Sequence, residues 1–136
     1  MDNGNIFKVW GKRHRILLTD TVEIDYLELK ANTFCSRHSH NHKINLFHVL
    51  KGKVRIDSEF GKVILREGQA FKVSPPLKHR FVALEDSEMI ECAFVEKGTI
   101  DAKDINREIQ GGRIIDGKYI SIPELREQGY LEIENE

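Results

Sequence analysis

Two cysteines, Cys35 and Cys92, are all the thiol chemistry this 136-residue chain offers. They lie far apart, and the opening Met1-Asp2-Asn3-Gly4-Asn5 shows no basic stretch followed by an apolar run. A disulfide framework is therefore not expected, and a reduced pair in a cytoplasmic protein is. Long apolar runs are also missing: no window approaches the roughly 18 residues that a membrane helix needs, so no membrane partner is expected. The net charge of −1 leaves no excess of positive charge for nucleic acid or an anionic bilayer. Internal repeats and low-complexity stretches are absent, which removes solenoids and disordered linkers from consideration. What is present is 40% hydrophobic residues in a length suited to one core, so one domain is the default reading.

Charge is unevenly spread. Residues 1–100 carry 16 Lys and Arg against 13 Asp and Glu, a balance of +3, whereas residues 101–136 carry 5 against 9, a balance of −4. An acidic tail on a mildly basic body is read as a solvated face, with docking on this or a neighbouring barrel as the alternative. The dense basic run Lys12-Arg13-His14-Arg15 is read as an exposed turn, with a phosphate contact as the alternative.

Short β-rich runs dominate the first hundred residues: Ile6–Trp10, Ile16–Leu18, Val22–Leu29, Ile44–Leu50, Val54–Asp57, Lys62–Leu65, Ala70–Val73, Arg80–Leu84 and Met89–Val95. Turn-forming clusters such as Ser58–Gly61, Glu67-Gly68 and Pro75-Pro76 separate them. Strands this short and regularly spaced predict an all-β sandwich or barrel of antiparallel strands. Within Val22–Leu29 the alternation slips once, which suggests a bulge.

After Thr99 the pattern changes, and residues 101–136 are expected to form an extension of helix, hairpin and short helix on a barrel of residues 1–100. Asp101 is placed as an N-cap, with Ile105 and Ile109 on one face of a helix over 101–109. Asp116-Gly117 marks a type I′ hairpin turn. Ser121-Ile122-Pro123-Glu124 has capping-box spacing, and Gly129 suits the C′ position of the helix it opens. Ile105, Ile109, Ile114, Ile120, Ile122, Leu125 and Leu131 should then be buried against a surface.

The chemistry concentrates in His38-Ser39-His40 and His79. Two histidines two residues apart on an extended segment face the same way, and a third on a neighbouring strand completes a facial set of imidazoles. Such a set suits one divalent transition metal such as Zn, Fe, Mn or Ni and leaves positions open for water and a substrate oxygen. Cys35, three residues before His38, should face the opposite way. His42 shares the parity of His38 and His40 but should be carried to the rim by the turn near Lys43; His48 should face away, and His14 should lie on the surface.

Arg37-His38-Ser39-His40, Asn45 and Val49-Leu50-Lys51-Gly52 resemble the first cupin motif, in which H-x-H is followed by a glutamate and then a glycine. Gly68 through Ser74-Pro75-Pro76-Leu77-Lys78-His79 resembles the second. The resemblance implies a double-stranded β-helix, the jelly-roll cupin barrel, over roughly 5–98, followed by the short α/β extension. Val9-Trp10-Gly11, Glu96-Lys97-Gly98 and Asp104-Ile105-Asn106-Arg107 fall where similar segments lie in type II mannose-6-phosphate isomerase-like cupins. That likeness implies the ligand set His38, His40, Asn45 and His79, with Asn45 standing where the family places glutamate. Leu46 and Phe47 depart as well, standing where a histidine and a tryptophan often follow. An amide there raises the charge of the site by one unit and favours an anionic molecule at the metal.

Three functions are compatible with these residues. The first is a metal-dependent enzyme on a small polar molecule such as a sugar phosphate, with Glu91, Glu23 or Glu28 as the base if its strand aims it inward. The second is a three-histidine Fe(II) dioxygenase acting on a small acid, and the third a non-catalytic ligand-binding module. The resemblance also implies a homodimer, with Phe7, Val9 and Trp10 on a strand that crosses to a second barrel.

Overall fold

The computed structural model describes residues 5–129. Fourteen strands and one helix follow in chain order: β1 (Asn5–Lys8), β2 (Gly11–Leu18), β3 (Val22–Leu29), β4 (Thr33–Phe34), β5 (Arg37–Ser39), β6 (Ile44–Lys51), β7 (Lys53–Ser58), β8 (Gly61–Arg66), β9 (Ala70–Val73), β10 (His79–Ala83), β11 (Ser87–Phe94), β12 (Asn106–Ile109), β13 (Gly112–Ile115), β14 (Lys118–Ser121) and α1 (Ile122–Glu127). They form two antiparallel sheets. One runs β1-β2-β3-β11-β6-β9, the other β12-β5-β10-β4-β13-β14, with β7 added on β10 and β8 on β7. The facing surfaces enclose a core built from Leu27, Leu29, Phe47, Val49, Val54, Ile56, Phe81 and Met89, as alternation along half-buried strands requires. This is the double-stranded β-helix expected from the sequence.

Tight turns set the register. At the β6–β7 hairpin Gly52 has φ +90°, and a Cβ there would stand 2.3 Å from Ser87 Oγ, so only glycine fits the crossing of β6 and β7 beside β11. Ser87 Oγ in turn accepts from the Lys53 N–H at 3.0 Å.

The irregularity on β2 and β3 differs from expectation. Strand β3 pairs without a break with β11, and the register shift falls in β2 between Arg15 and Leu17. The apparent slip arises because the inward face of β3 reads Glu23-Asp25-Leu27-Leu29: its first two members are charged and turned into a polar cavity. The basic run 12–15 is likewise strand β2, not a turn, with Lys12 on Glu28 at 2.9 Å and Arg15 on Asp25 at 2.6 Å. His14 is half-buried, its Nδ1 2.6 Å from Asn5 Oδ1.

The first expected strand ends early. Val9 and Trp10 form the β1–β2 turn and fold back into the core, where Trp10 meets Phe81 edge-on at 5.2 Å. They are buried within this chain's own core and do not lie on β1, the strand expected to carry them to a second barrel; Phe7 stays exposed.

The expected helix over 101–109 does not form. Asp101 instead closes a turn, its side chain accepting from the Lys103 N–H at 2.9 Å and its carbonyl from Asp104 N–H at 3.0 Å. The chain then pairs as β12 with β5. The open edge of β5 supplies backbone partners that a nine-residue helix with two isoleucines on its face could not outweigh. Ile109 accordingly stays exposed.

The rest of the extension joins the barrel. Strand β13 pairs with β4 and β14, Asp116 and Gly117 both have positive φ as a type I′ turn needs, and Ile120, Ile122 and Leu125 enter the same core as Trp10 and Phe81. Arg80 lies between the Phe34 and Tyr119 rings, 5.1 and 4.7 Å from their centroids. Arg55 donates to Tyr119 Oη at 2.7 Å, and Asp57 holds both arginines, at 2.6 and 3.2 Å. Burial alone would raise the Asp57 carboxyl, but hydrogen bonds and charge from Arg55 and Arg80 outweigh it and hold it below its ordinary value. Ser121 takes the N-cap conformation of α1 without a side-chain hydrogen bond, so the capping box is not made. Pro123, in the first turn, has no N–H to satisfy. Gly129 has φ +81° just beyond the Gln128 C-cap. Leu131 lies outside the described residues.

Candidate functional site

Strands β5 and β10 are neighbours in the second sheet and pair His38 directly with His79. His40 follows two residues after His38 and projects from the same side. One ring nitrogen from each of the three lies within 4.8 Å of the others, and the ring centroids stand 4.7 to 5.6 Å apart. His38 and His40 of the cluster line a cavity of about 140 Å³ whose wall also includes Trp10, Asn45, Phe47, Phe81 and Glu91.

Each imidazole is oriented by its other nitrogen. His40 Nδ1 lies 2.6 Å from the Asp104 carbonyl and His79 Nδ1 3.0 Å from the Leu77 carbonyl. Since a carbonyl only accepts, both Nδ1 atoms carry the proton and both Nε2 atoms keep their lone pairs. His38 Nδ1 is held 2.8 Å from Ser36 Oγ. Burial, with the neighbouring His79 and His40, pulls His38 down to about 3, and burial pulls His79 down to about 4. Burial also lowers His40, against the opposing Asp104 carbonyl. All three are therefore neutral at pH 7, the form that binds a metal.

Four buried side-chain atoms lack any hydrogen-bond partner among the described residues: Arg13 Nε, His40 Nε2, Asn45 Oδ1 and His79 Nε2. Buried polar atoms are almost always satisfied, so two free imidazole lone pairs in one cluster and an amide oxygen in the adjoining cavity form an electron-donating set without an electrophile. The residues fit a divalent metal. Asn45 Nδ2 donates to Glu91 Oε2 at 2.7 Å, which fixes the amide with its oxygen as the free end.

The carboxylates differ in placement. Glu91 and Glu23 line the cavity, whereas Glu28 is exposed and bound to Lys12 outside it. Burial, reinforced by the negative charge of Asp25, pushes Glu91 up to about 7, with Lys43 and Asn45 opposing. Glu23 bridges Arg15 and Lys43 at 3.1 and 3.0 Å.

Two contributors escaped the sequence reading. Asp25 is buried on the inner face of β3; the parity of Leu27 and Leu29 points to it. Asp104 both anchors His40 and accepts the N–H groups of Asn41, His42 and Lys43 at 2.7, 3.0 and 3.0 Å. No local signal marks Asp104, because its partners lie more than sixty residues away.

Cys35 is buried and lines the same cavity, its sulfur 3.2 Å from the Phe81 nitrogen. The parity expected to turn it away is interrupted between β4 and β5. It is nonetheless outside the nitrogen cluster, and neither Cys35 nor Cys92 forms a disulfide. His42 is exposed at the rim, and His48 pairs with Ala70 and Ile90 without joining the cluster. Among the described residues no helix is long and apolar enough to cross a membrane.

No curated protein matches this chain in sequence. Its structure is similar to KdgF from Halomonas sp., at 23% identity over 63% of this chain and 79% of that one, with a TM-score of 0.59. Ectoine synthase from P. lautus is similar at 19% identity over 89% of this chain and 91% of that one, TM-score 0.62. Oxalate decarboxylase from Bacillus subtilis is similar at 18% over 78% of this chain, TM-score 0.64, and this chain spans only 30% of its length. Residues 25–91 match the family model described as a cupin domain, which together with the two-sheet architecture of a double-stranded β-helix supports the cupin superfamily.

Proposed function

We propose that the chain is a metal-dependent enzyme acting on a small polar, oxygen-bearing molecule, with one divalent transition metal held by His38, His40 and His79 and with the Asn45 side-chain oxygen as a weaker fourth donor. The observation that carries this reading is that buried, unpartnered His40 Nε2 and His79 Nε2 belong to one histidine cluster, beside a cavity that His38, His40 and Asn45 line and where Asn45 Oδ1 is also unpartnered. A bound metal of this kind polarises carbonyl and hydroxyl oxygens. The isomerase-like reading requires in addition a base, and Glu91 meets that need: it stands in the cavity beside Asn45, supplying from β11 the carboxylate that position 45 on β6 lacks. Phe47, Phe81 and Trp10 supply an apolar wall beside the charged side chains of the cavity. The isomerase-like resemblance taken alone suggests a sugar phosphate, whereas the name oxalate decarboxylase belongs to a protein with a similar barrel that acts on a small acid.

Elemental analysis of the full chain, as purified and after exposure to Zn, Fe(II), Mn or Ni, tests the metal site; failure to reach one equivalent with any of them refutes it. A screen of small hydroxy and keto compounds in deuterated water then tests the proton-transfer chemistry. Solvent deuterium appearing at carbon is the expected result, and oxygen consumption by the Fe(II) form without exchange would favour the dioxygenase reading instead. A homodimer is part of the same proposal, supported by exposed Phe7, Ile16, Leu17 and Leu18 on β1 and β2; a monomeric solution mass rejects it.

A further inference from the structure

Among the described residues, Arg13 presents the one orphaned cationic atom of the cavity. It lies on the same face of β2 as Arg15, and its Nε is buried without a hydrogen-bond partner. A guanidinium is always charged and carries donors only, so an unmet donor there is costly unless a ligand fills the space in front of it. The cavity carboxylates are otherwise engaged. Arg15 holds Glu23 and Asp25, Lys43 holds Glu23, and Glu91 accepts from Asn45. Arg107 lines the same cavity from β12, where it pairs in register with His38. Neither Arg13 nor Arg107 has an ion-pair partner among the described residues.

We propose that Arg13 and Arg107 form an anion subsite facing the three histidines, and that the molecule accepted here is a small organic carboxylate with a second oxygen on the neighbouring carbon. The guanidinium fork matches the two oxygens of a carboxylate, which leaves the adjacent hydroxyl or keto oxygen directed at the histidine cluster. The cavity of about 140 Å³ has room for a small organic acid. A monoanionic carboxylate is favoured over a phosphate dianion because the charged groups that line the cavity, Lys8, Arg13, Lys43 and Arg107 against Glu23, Asp25 and Glu91, leave one positive charge to be met. The inference rests on the metal reading of the histidines and adds to it the substrate class.

The test is calorimetric and uses the full chain. Zinc titration first reports the histidine site, so a failed metal site is recognised before any acid is added. Glycolate, lactate and glycerate are then titrated into zinc-loaded protein, and into metal-free protein if zinc does not bind, with neutral lactamide and inorganic phosphate as parallel arms. At least one hydroxy acid should bind, with lactamide weaker than lactate by about tenfold or more, the size expected for a charge-assisted hydrogen bond. Arg13→Gln should lose about tenfold or more in hydroxy-acid affinity while still binding zinc. Exposed Arg107→Gln should lose affinity in the same direction and guards against misfolding of the first variant. Failure of all three acids to bind, equal binding of lactamide and lactate, unchanged affinity in the Arg107→Gln variant and in a zinc-competent Arg13→Gln variant, or phosphate binding tighter than every acid would each overturn the proposal.

Discussion

Replacing Asn45 by glutamate converts the ligand set to three histidines and a carboxylate, and the structure makes the consequence depend on whether metal is present. Without metal, the new carboxylate loses the amide donor that now bonds Glu91 Oε2 at 2.7 Å and sets a second carboxyl group against Glu91. Two like charges about 4 Å apart repel by about 4 kcal/mol at an effective dielectric near 20; uptake of one proton by the pair relieves part of this. A net apo destabilisation of about 1–3 kcal/mol is therefore expected at pH 8, which for a chain of this size lowers Tm by about 3–12 °C. With metal the sign reverses, because an anionic ligand faces a divalent cation where a neutral oxygen stood. A tenfold tightening adds about 1.4 kcal/mol of metal-dependent stabilisation at saturating metal. The Asn45→Glu variant should thus melt lower than wild type with chelator and gain more from added zinc. Differential scanning calorimetry at pH 8, with chelator and with a fixed excess of zinc, measures both quantities. An unchanged apo Tm would show that Glu91 does not feel position 45, and an unchanged zinc-dependent increment would show that position 45 does not face the metal.

Three further outcomes are expected. His79→Ala should lose stoichiometric metal, measured by elemental analysis, while keeping the β-sheet circular dichroism of wild type, because the ligand projects into an already packed barrel. Leu125 is fully buried in the barrel core, so Leu125→Ala should cost about 2–5 kcal/mol in urea unfolding, whereas exposed Leu50→Ala should cost well under about 1 kcal/mol; equal small effects would show that α1 is not docked. Because the Asp57 carboxyl is held below its unfolded value by Arg55 and Arg80, its contribution is present above an unfolded pKa of about 3.9 and is lost as pH falls through the folded value. Asp57→Asn should therefore be less stable than wild type at pH 7, and the gap should narrow in unfolding experiments carried towards pH 3.

Local pattern was enough for most of the longer strands, the H-x-H pair, the type I′ turn and the motif glycines, because each depends on backbone periodicity or on a φ that one or two residues dictate. The three histidines could be grouped from sequence for the same reason, since strand parity puts His38 and His40 on one side. Only the tertiary structure decided where polar residues face a cavity in place of solvent. Glu23 and Asp25 read as a slip in alternation until the cavity lies in front of them, and Arg13 read as part of a surface turn for the same reason. Residues 101–109 had a helical spacing, yet the unpaired edge of β5 drew Asn106–Ile109 into the sheet. Asp104 could not have been found at all from its neighbours: its hydrogen bonds reach His40 and the Asn41–Lys43 amides. Contacts that join distant segments exist only once the sheets have closed, and chain-local propensity carries no trace of them.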